Sequence, residues 1–136
     1  MKTITFYNTN NDDSRDLQLE EFYEFVNDES LKNKIKIIHM NIRSLNANFI
    51  EFEHFLHYIK VDIDFIVLSE CWLQNIQLYE NVLNGYGMIC SEKMNKSGGI
   101  VAFYKKSVAK LIDVEKMYSK VAIACSCVLR PTIQSL

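Results

Sequence analysis

The stretch that decides the fold is IKIIHMNIRSLNANFIEFEHFLHYIKVDIDFIVLSECWL, residues 35–73. It predicts a strand, a turn, an amphipathic helix and a second strand, because its apolar residues first alternate, then recur at helical spacing, then run almost without interruption. A polar residue closes each predicted strand, Asn41 the first and Glu70 the second. Open α/β sheets place their chemistry at the carboxyl ends of strands, so we expect these two side chains to meet at one metal ion or phosphate.

The helix between these strands is predicted over residues 46–58, with Asn46 as its N-cap. Its apolar stripe consists of Phe49, Phe52, Leu56 and Ile59. The stripe would pack on the sheet, and we place Asn48, Glu51 and His54 on the opposite, solvent side. His54 and His57 lie three apart near carboxylates, whereas the zinc-protease helix needs histidines four apart with Glu directly after the first, so we interpret them as solvent-facing.

Downstream, residues 86–91 and 100–104 predict a hairpin whose connection contains Gly98 and Gly99. A last strand is predicted over residues 121–128. Seven lysines lie in this half of the chain, at positions 93, 96, 105, 106, 110, 116 and 120. A lysine patch of this kind suits a polyanion backbone, with Lys93 and Lys96 as the candidate contacts, although solvated hairpin edges explain it almost as well.

Composition indicates a globular chain of one domain, since 49% of the 136 residues are hydrophobic, 24% are charged and only one is proline. Residues 1–30 hold eight acidic and two basic residues, whereas residues 31–136 hold nine acidic and thirteen basic residues. We therefore predict an acidic lead over residues 1–33, flexible over residues 1–15 with a short helix after it, and a domain over residues 34–136.

The cysteines and the N-terminus bear on location. The four cysteines have no zinc spacing, and small buried thiols in a reducing compartment explain them better than a disulfide framework. The N-terminus lacks the apolar run of a signal peptide, and no segment has the length of a membrane span. We therefore expect an intracellular protein without a membrane partner.

Four segments together resemble the endonuclease domain of non-LTR retrotransposons, an AP-endonuclease-like branch of the endonuclease/exonuclease/phosphatase superfamily. They are IIHMNIRSL (37–45), VLSECWL (67–73), GY (85–86) and SGGIVAFY (97–104). Their order and spacing agree with the family over residues 35–131. The resemblance implies an α/β fold, namely part of a deoxyribonuclease-I-like four-layer sandwich with a mixed or antiparallel sheet and a flanking helix.

The resemblance also implies an activity, the Mg²⁺- or Mn²⁺-dependent cleavage of a DNA phosphodiester that nicks a target before reverse transcription in the nucleus. It assigns Glu70 as a metal ligand and Asn41 as a second catalytic and metal-holding group. Arg43 and Arg130 are assigned to substrate binding. Mg²⁺ prefers hard oxygen ligands and stabilises charge on phosphoryl oxygens, so an amide and a carboxylate suit it.

The chain departs from the family near its end. Leu129 stands where the family's "Y-R-P-P" segment has tyrosine, and the later "G-D-F-N" and "S-D-H" motifs have no counterpart. The resemblance therefore implies that the sequence covers roughly the N-terminal half of the domain, without the C-terminal half and the reverse transcriptase domain. Because each missing acid–base group is typically worth about 10²–10⁴ in rate, we expect the chain alone to be inactive.

Two alternatives remain open. The first is a non-catalytic remnant that at most binds a metal or a polyanion weakly. The second keeps the fold but acts on a lipid or inositol phosphodiester, as other branches of the superfamily do. The NIRSL and ECWL segments argue against the second alternative.

Overall fold

The structure, a computed structural model, describes residues 4–8, 11–17, 19–59, 63–72, 75–91, 98–118 and 123–131. Short 3-10 helices lie at Glu29–Leu31 and Ile76–Tyr79. The α-helices and strands of the described residues are, in chain order, β1 (Ile4–Asn8), β2 (Asn11–Leu17), α1 (Leu19–Val26), β3 (Ile37–Asn41), α2 (Leu45–Ile59), β4 (Phe65–Ser69), β5 (Tyr86–Cys90), β6 (Ile100–Lys105), β7 (Ala109–Tyr118) and β8 (Ile123–Pro131).

Six of these strands form one mixed sheet in the order β2-β1-β3-β4-β6-β5. Strands β3 and β4 are parallel, as expected for strands joined through a helix, and the other neighbours are antiparallel. Strands β7 and β8 pair with each other in a separate two-stranded sheet. The predicted α/β class, with a mixed sheet and a flanking helix, is confirmed.

One face of the sheet, which we call the helix face, packs against α2. Two rows of paired residues cross four strands on this face, Ile38–Ile66–Phe103–Met88 and Met40–Leu68–Val101–Cys90. Phe52 and Ile59 of α2 are buried in the same core, at 2% and 0% exposed. Burying a side chain of this size contributes about 1.5–3 kcal/mol, so this contact holds β3, α2 and β4 together.

The lead is more ordered than predicted. We expected residues 1–15 to be flexible, but residues 4–8 and 11–17 form the hairpin β1–β2, and β1 pairs with β3 through Thr5 and His39. Strand β2 lies at one end of the strand order among the described residues. The predicted short helix is present as α1, and the division at residue 33 stays a prediction.

Helix α2 begins one residue before its predicted start, and its cap differs. The Ser44 hydroxyl accepts a hydrogen bond from the Ala47 backbone N–H at 3.3 Å, which makes Ser44 the N-cap. The Asn46 side chain instead accepts a hydrogen bond from the Tyr79 hydroxyl. The prediction of Asn46 as the cap was therefore wrong, because α2 starts at Leu45 and its cap precedes that residue.

The predicted hairpin is present as β5 and β6, in antiparallel register from Tyr86–Lys105 to Cys90–Val101. The last strand, β8, continues to Pro131 instead of ending at residue 128, and the predicted positions 121 and 122 lie outside the described residues. Its partner β7 was not predicted. Among the helices of the described residues, none combines the length and the apolar character needed to cross a membrane.

Candidate active site at the strand ends

The carboxyl ends of β3 and β4 lie side by side, because the two strands are parallel and Asn41 pairs with Ser69. The pairing continues past the strands. Residues 42–44, here called the β3 exit loop, approach residues 70–72, here called the β4 exit loop. Ser44 N–H donates to the Glu70 carbonyl at 2.8 Å, and Leu45 N–H donates to the Cys71 carbonyl at 2.9 Å. These two backbone hydrogen bonds link the β3 exit loop to the β4 exit loop.

The β4 exit loop is also held from its other side by the entrance of β6. Cys71 N–H donates to the Gly99 carbonyl at 3.1 Å, and Trp72 N–H donates to the Gly98 carbonyl at 3.0 Å. Gly99 has φ 104°, a conformation that side chains rarely adopt. The loop after Glu70 thus lies between two backbone partners, which restricts where the Glu70 side chain can point.

The side chains of Asn41 and Glu70 meet at this edge. Asn41 Nδ2 donates to Glu70 Oε1 at 2.6 Å, with Asn41 exposed and Glu70 half-buried. The amide thereby orients the carboxylate, and among the described residues nothing else hydrogen-bonds to its second oxygen. The structure places the two predicted residues together, while their catalytic and metal-binding roles stay predictions.

Backbone strain is concentrated in the same two loops. Every described non-glycine residue with positive φ lies there: Arg43 at 46°, Ser44 at 79°, Glu70 at 53° and Trp72 at 51°. The left-handed region costs an L residue about 1–2 kcal/mol, so such residues persist only where the surroundings hold them. Strain of this kind collects at functional sites, which favours this edge of the sheet as the site.

Asn48 is a residue that the sequence analysis misplaced. We assigned it to the solvent side of α2, but it is half-buried and its Nδ2 donates to the carbonyls of Ile42, Arg43 and Ser44 at 2.9, 2.9 and 3.3 Å. A polar group without a hydrogen bond costs about 1–3 kcal/mol when buried, so these contacts stabilise the β3 exit loop. The sequence signal for this role is an asparagine in the first turn of a helix that follows a tight turn, because an asparagine side chain can hydrogen-bond to nearby backbone groups.

A second polar pair lies beside Asn41 on the sheet face opposite α2. His39, two residues before Asn41, has its Nε2 3.1 Å from the Ser69 hydroxyl, and Ser69 is the pairing partner of Asn41. Trp72, in the β4 exit loop, has a buried Nε1 with no acceptor among the described residues. Strand alternation places His39 on the same face as Asn41, but it does not indicate the contact with Ser69.

Cys71, next to Glu70, is not a nucleophile. It is fully buried, and its Sγ lies 3.3 Å from the Leu68 carbonyl, to which it donates. Burial raises the pKa of the Cys71 thiol from 9.0 to about 12. Because the thiolate is the reactive form, this cysteine is inert near neutral pH.

The remaining candidate residues are dispersed. Arg43 lies exposed in the β3 exit loop, whereas Arg130 belongs to β8, where its backbone pairs with Lys110. Lys93 and Lys96 fall outside the described residues. The structure thus places Arg43 at the edge that holds Asn41 and Glu70.

Two further polar side chains form local contacts. Asp64 accepts a hydrogen bond from the Lys36 backbone N–H at 2.7 Å, at the end of β4 opposite Glu70. His57 Nδ1 lies 3.0 Å from the Glu53 carbonyl within α2. Both side chains therefore serve local structure.

The donor set at the strand ends fits a hard divalent cation. Within the described residues, no three or more His, Cys, Asp and Glu side chains form a group that could hold a metal ion. Mg²⁺ does not require such a group, because it keeps several waters and is often bound through one or two carboxylates together with substrate phosphates. One oriented carboxylate and one amide oxygen suffice for that mode of binding.

The chain was compared with protein families, curated proteins and solved structures. No family model matches the chain, and no curated protein matches it. A solved structure to which it is similar is the catalytic domain of APE2 from Xenopus laevis, with 25% sequence identity and a TM-score of 0.47. The likeness covers 65% of this chain and 29% of that one, so the chain spans less than a third of that catalytic domain.

Proposed function

We propose that this chain supplies the metal-binding part of the active site of a divalent-metal-dependent DNA endonuclease of the endonuclease/exonuclease/phosphatase superfamily, of the non-LTR retrotransposon type. The observation that carries the proposal is the 2.6 Å hydrogen bond between Asn41 and Glu70 at adjacent strand ends. The NIRSL and ECWL segments, which contain or adjoin these residues, support the assignment to the retrotransposon branch.

In this proposal Glu70 binds Mg²⁺ or Mn²⁺ through its carboxylate, and the Asn41 N–H holds that carboxylate in place. The Asn41 carbonyl oxygen is available as a second hard ligand. A bound cation would stabilise negative charge on the phosphoryl and leaving oxygens of a phosphodiester. The backbone hydrogen bonds of the two exit loops keep this arrangement preorganised before the substrate arrives.

Arg43 is the proposed contact to the DNA backbone. Its side chain is exposed and follows Asn41 by two residues, so its guanidinium can pair with a phosphate next to the one bound at Glu70. Arg130, Lys93 and Lys96 are further proposed DNA contacts, on the sequence alone. A phosphate contact of this kind contributes affinity without base specificity.

In the family that the sequence resembles, later motifs provide the residues that activate the nucleophile. We therefore propose that hydrolysis requires those groups and that this segment alone binds the cation without rapid turnover. General acid–base catalysis typically contributes about 10²–10⁴ in rate per group, so their combined loss would bring nicking near the uncatalysed background.

The first test is a calorimetric titration of the whole chain with Mn²⁺, comparing the wild type with Glu70→Ala and with Glu80→Ala. Glu80 is an exposed carboxylate in the segment between β4 and β5, which makes it a control for the loss of a surface carboxylate. We expect Glu70→Ala to abolish saturable binding and Glu80→Ala to leave it unchanged. Equal binding in all three proteins would contradict the proposal.

A plasmid assay tests the proposed lack of turnover. Supercoiled DNA is incubated with Mg²⁺ or Mn²⁺ and either the wild type or Glu70→Ala. We expect equal background nicking by both proteins. Metal-dependent nicking that disappears in Glu70→Ala would show a working site in this segment and would disprove the need for the later motifs.

The alternative function is weak polyanion binding without a metal site. The exposed side chains of Lys106 and Lys110 favour it. Its signature is DNA binding that weakens steeply with salt, with a slope set by the number of phosphates neutralised, and that is unaffected by Glu70→Ala.

A further inference from the structure

Asn48 forms hydrogen bonds near the strand ends that have no role in the proposed function. Its Nδ2 lies within 2.9–3.3 Å of three consecutive carbonyl oxygens, those of Ile42, Arg43 and Ser44. An amide NH₂ has two hydrogens, so one of them is shared between two acceptors. One side chain from α2 therefore donates hydrogen bonds to the carbonyls of all three residues of the β3 exit loop.

The conformation of that loop makes such a contact necessary. Arg43 and Ser44 have φ angles of 46° and 79°, which L residues leave readily unless neighbouring groups hold them. The Asn48 backbone N–H also donates to the Ser44 carbonyl, at 3.2 Å, as part of the first turn of α2. Backbone and side chain of Asn48 thus bind the same loop from the helix.

The loop in turn fixes the Asn41–Glu70 pair. Asn41 directly precedes it, and Ser44 N–H donates to the Glu70 carbonyl at 2.8 Å. A loop released from Asn48 would no longer hold the backbone of Glu70 in a fixed position relative to the end of β3. The 2.6 Å contact between Asn41 and Glu70 tolerates little relative movement, because hydrogen bonds weaken quickly with distance and angle.

We propose that Asn48 is a positioning residue of the candidate site, which sets the Asn41–Glu70 geometry by donating to the carbonyls of the β3 exit loop. Its effect on cation binding rests on the proposed function, whereas its effect on the Asn41–Glu70 hydrogen bond does not. The two parts are therefore measured separately.

The hydrogen-bond part is tested by nuclear magnetic resonance on the full chain carrying Asn48→Ala or Asn48→Asp, with His54→Ala on the exposed side of α2 as the control. The readouts are the side-chain amide resonance of Asn41 and the hydrogen exchange of the Ser44 and Leu45 amides. We expect the Asn41 resonance to move toward that of a free amide, and exchange to accelerate about tenfold as the loop opens locally. His54→Ala should change neither.

The two substitutions at Asn48 separate donation from packing. Aspartate keeps the shape of asparagine but turns a carboxylate oxygen toward three carbonyl oxygens, so donation predicts that Asn48→Asp perturbs Asn41 at least as much as Asn48→Ala. A benign Asn48→Asp beside a perturbing Asn48→Ala would assign the residue to packing and overturn the proposal. Unchanged Asn41, Ser44 and Leu45 signals in both variants would overturn it as well.

The cation part is tested by Mn²⁺ titration of the same proteins. Groups that orient metal ligands typically contribute 10–100-fold to affinity, and we expect Asn48→Ala to weaken Mn²⁺ binding about 10-fold. Wild-type affinity in Asn48→Ala, alongside loss of binding in Glu70→Ala, would overturn the positioning role while leaving the proposed function intact. Binding that does not depend on Glu70 would overturn the proposed function, and the amide signals would still decide the role of Asn48.

Discussion

Glu70 and Trp72 adopt backbone conformations that glycine would reach at lower cost, yet each carries a large side chain. A carboxylate at φ 53° costs stability, and strain of this kind collects at functional sites, which supports the proposed use of Glu70. The same reasoning applies to Arg43, whose guanidinium lies in the adjacent loop. At the scale of single residues, the strained positions and the proposed chemistry therefore coincide.

Ser44 makes one favourable and one unfavourable contribution to the unfolding free energy, and substitutions can separate them. Its hydroxyl caps α2 through the Ala47 N–H, while its φ of 79° is strained. Ser44→Ala loses the cap and keeps the strain, so we expect a loss of about 1 kcal/mol in unfolding free energy. Ser44→Gly loses the cap but relieves the strain, so its stability should equal or exceed that of the wild type. Urea unfolding followed by circular dichroism distinguishes the two, and Ser44→Gly less stable than Ser44→Ala would contradict this account.

The sequence was sufficient to place Asn41 and Glu70, and insufficient to place Asn48. Strand alternation and the rule that sites lie at carboxyl ends both depend on a regular pattern, so they located the two strand-end residues. Helical periodicity predicts which residues of α2 face the sheet. It does not predict that the carbonyls of the strained β3 exit loop point toward the first turn of α2. The role of Asn48 depends on that loop conformation, which no local pattern specifies.

At the scale of elements, the pairing of β5 with β6 depends on a glycine. Gly87 pairs with Tyr104, and a Cβ at Gly87 would lie 2.2 Å from Cζ of the Tyr104 ring. Real contacts of this kind are not found below about 3 Å, so the ring occupies the space of the missing side chain. The close approach explains why a residue that normally weakens a strand interior is found here.

We therefore predict that Gly87→Ala destabilises the fold by about 1–3 kcal/mol, the usual cost of overpacking. In a Tyr104→Ala background the same substitution should be neutral or stabilising, because the clash is gone and alanine restricts the unfolded chain. The measurement is a double-mutant cycle of unfolding free energies. Additive effects of the two substitutions would disprove a direct contact between the ring and position 87.

The elements that the sequence predicted are those with strong local patterns. Strands β3, β4, β5 and β6 and helix α2 have clear apolar periodicity. Strand β2 has the sequence NDDSRDL, in which no apolar residue precedes its last position, so no apolar pattern predicts a strand there. It is a strand because it pairs with β1. Pairing of this kind is a property of the assembled sheet, since strand formation depends more on context than on intrinsic propensity.

At the scale of the whole molecule, the two faces of the six-stranded sheet differ in burial. On the helix face Ile38 and Leu68 are 1% and 0% exposed, whereas Ile37 on the opposite face is 42% exposed. The polar pairs His39–Ser69 and Asn41–Glu70 belong to the more open side and end of the sheet. A well-packed core on one side therefore supports a polar site that remains reachable from the other.

Cys71 joins this core to the candidate site, and its ionisation gives the last prediction. Burial raises the pKa of its thiol to about 12, above its ordinary value of 9.0. The folded state thus favours the neutral thiol, and the stability that this preference provides is complete below pH 9 and is lost as the pH rises from about 9 toward 12. Serine at this position cannot ionise in this range, and its hydroxyl can still donate to the Leu68 carbonyl.

We expect the unfolding free energy of the wild type to fall more steeply between pH 8.5 and about 11 than that of Cys71→Ser, although Cys71→Ser starts lower because it buries a hydroxyl. Cys90→Ser, at a half-buried position, serves as the control and should retain the steep dependence. Denaturant titrations at several pH values, with the reducing agent held constant, provide the measurement. Parallel pH profiles for the wild type and Cys71→Ser would mean that Cys71 reaches solvent in the folded state. The loop that positions Glu70 would then be looser than its backbone hydrogen bonds indicate.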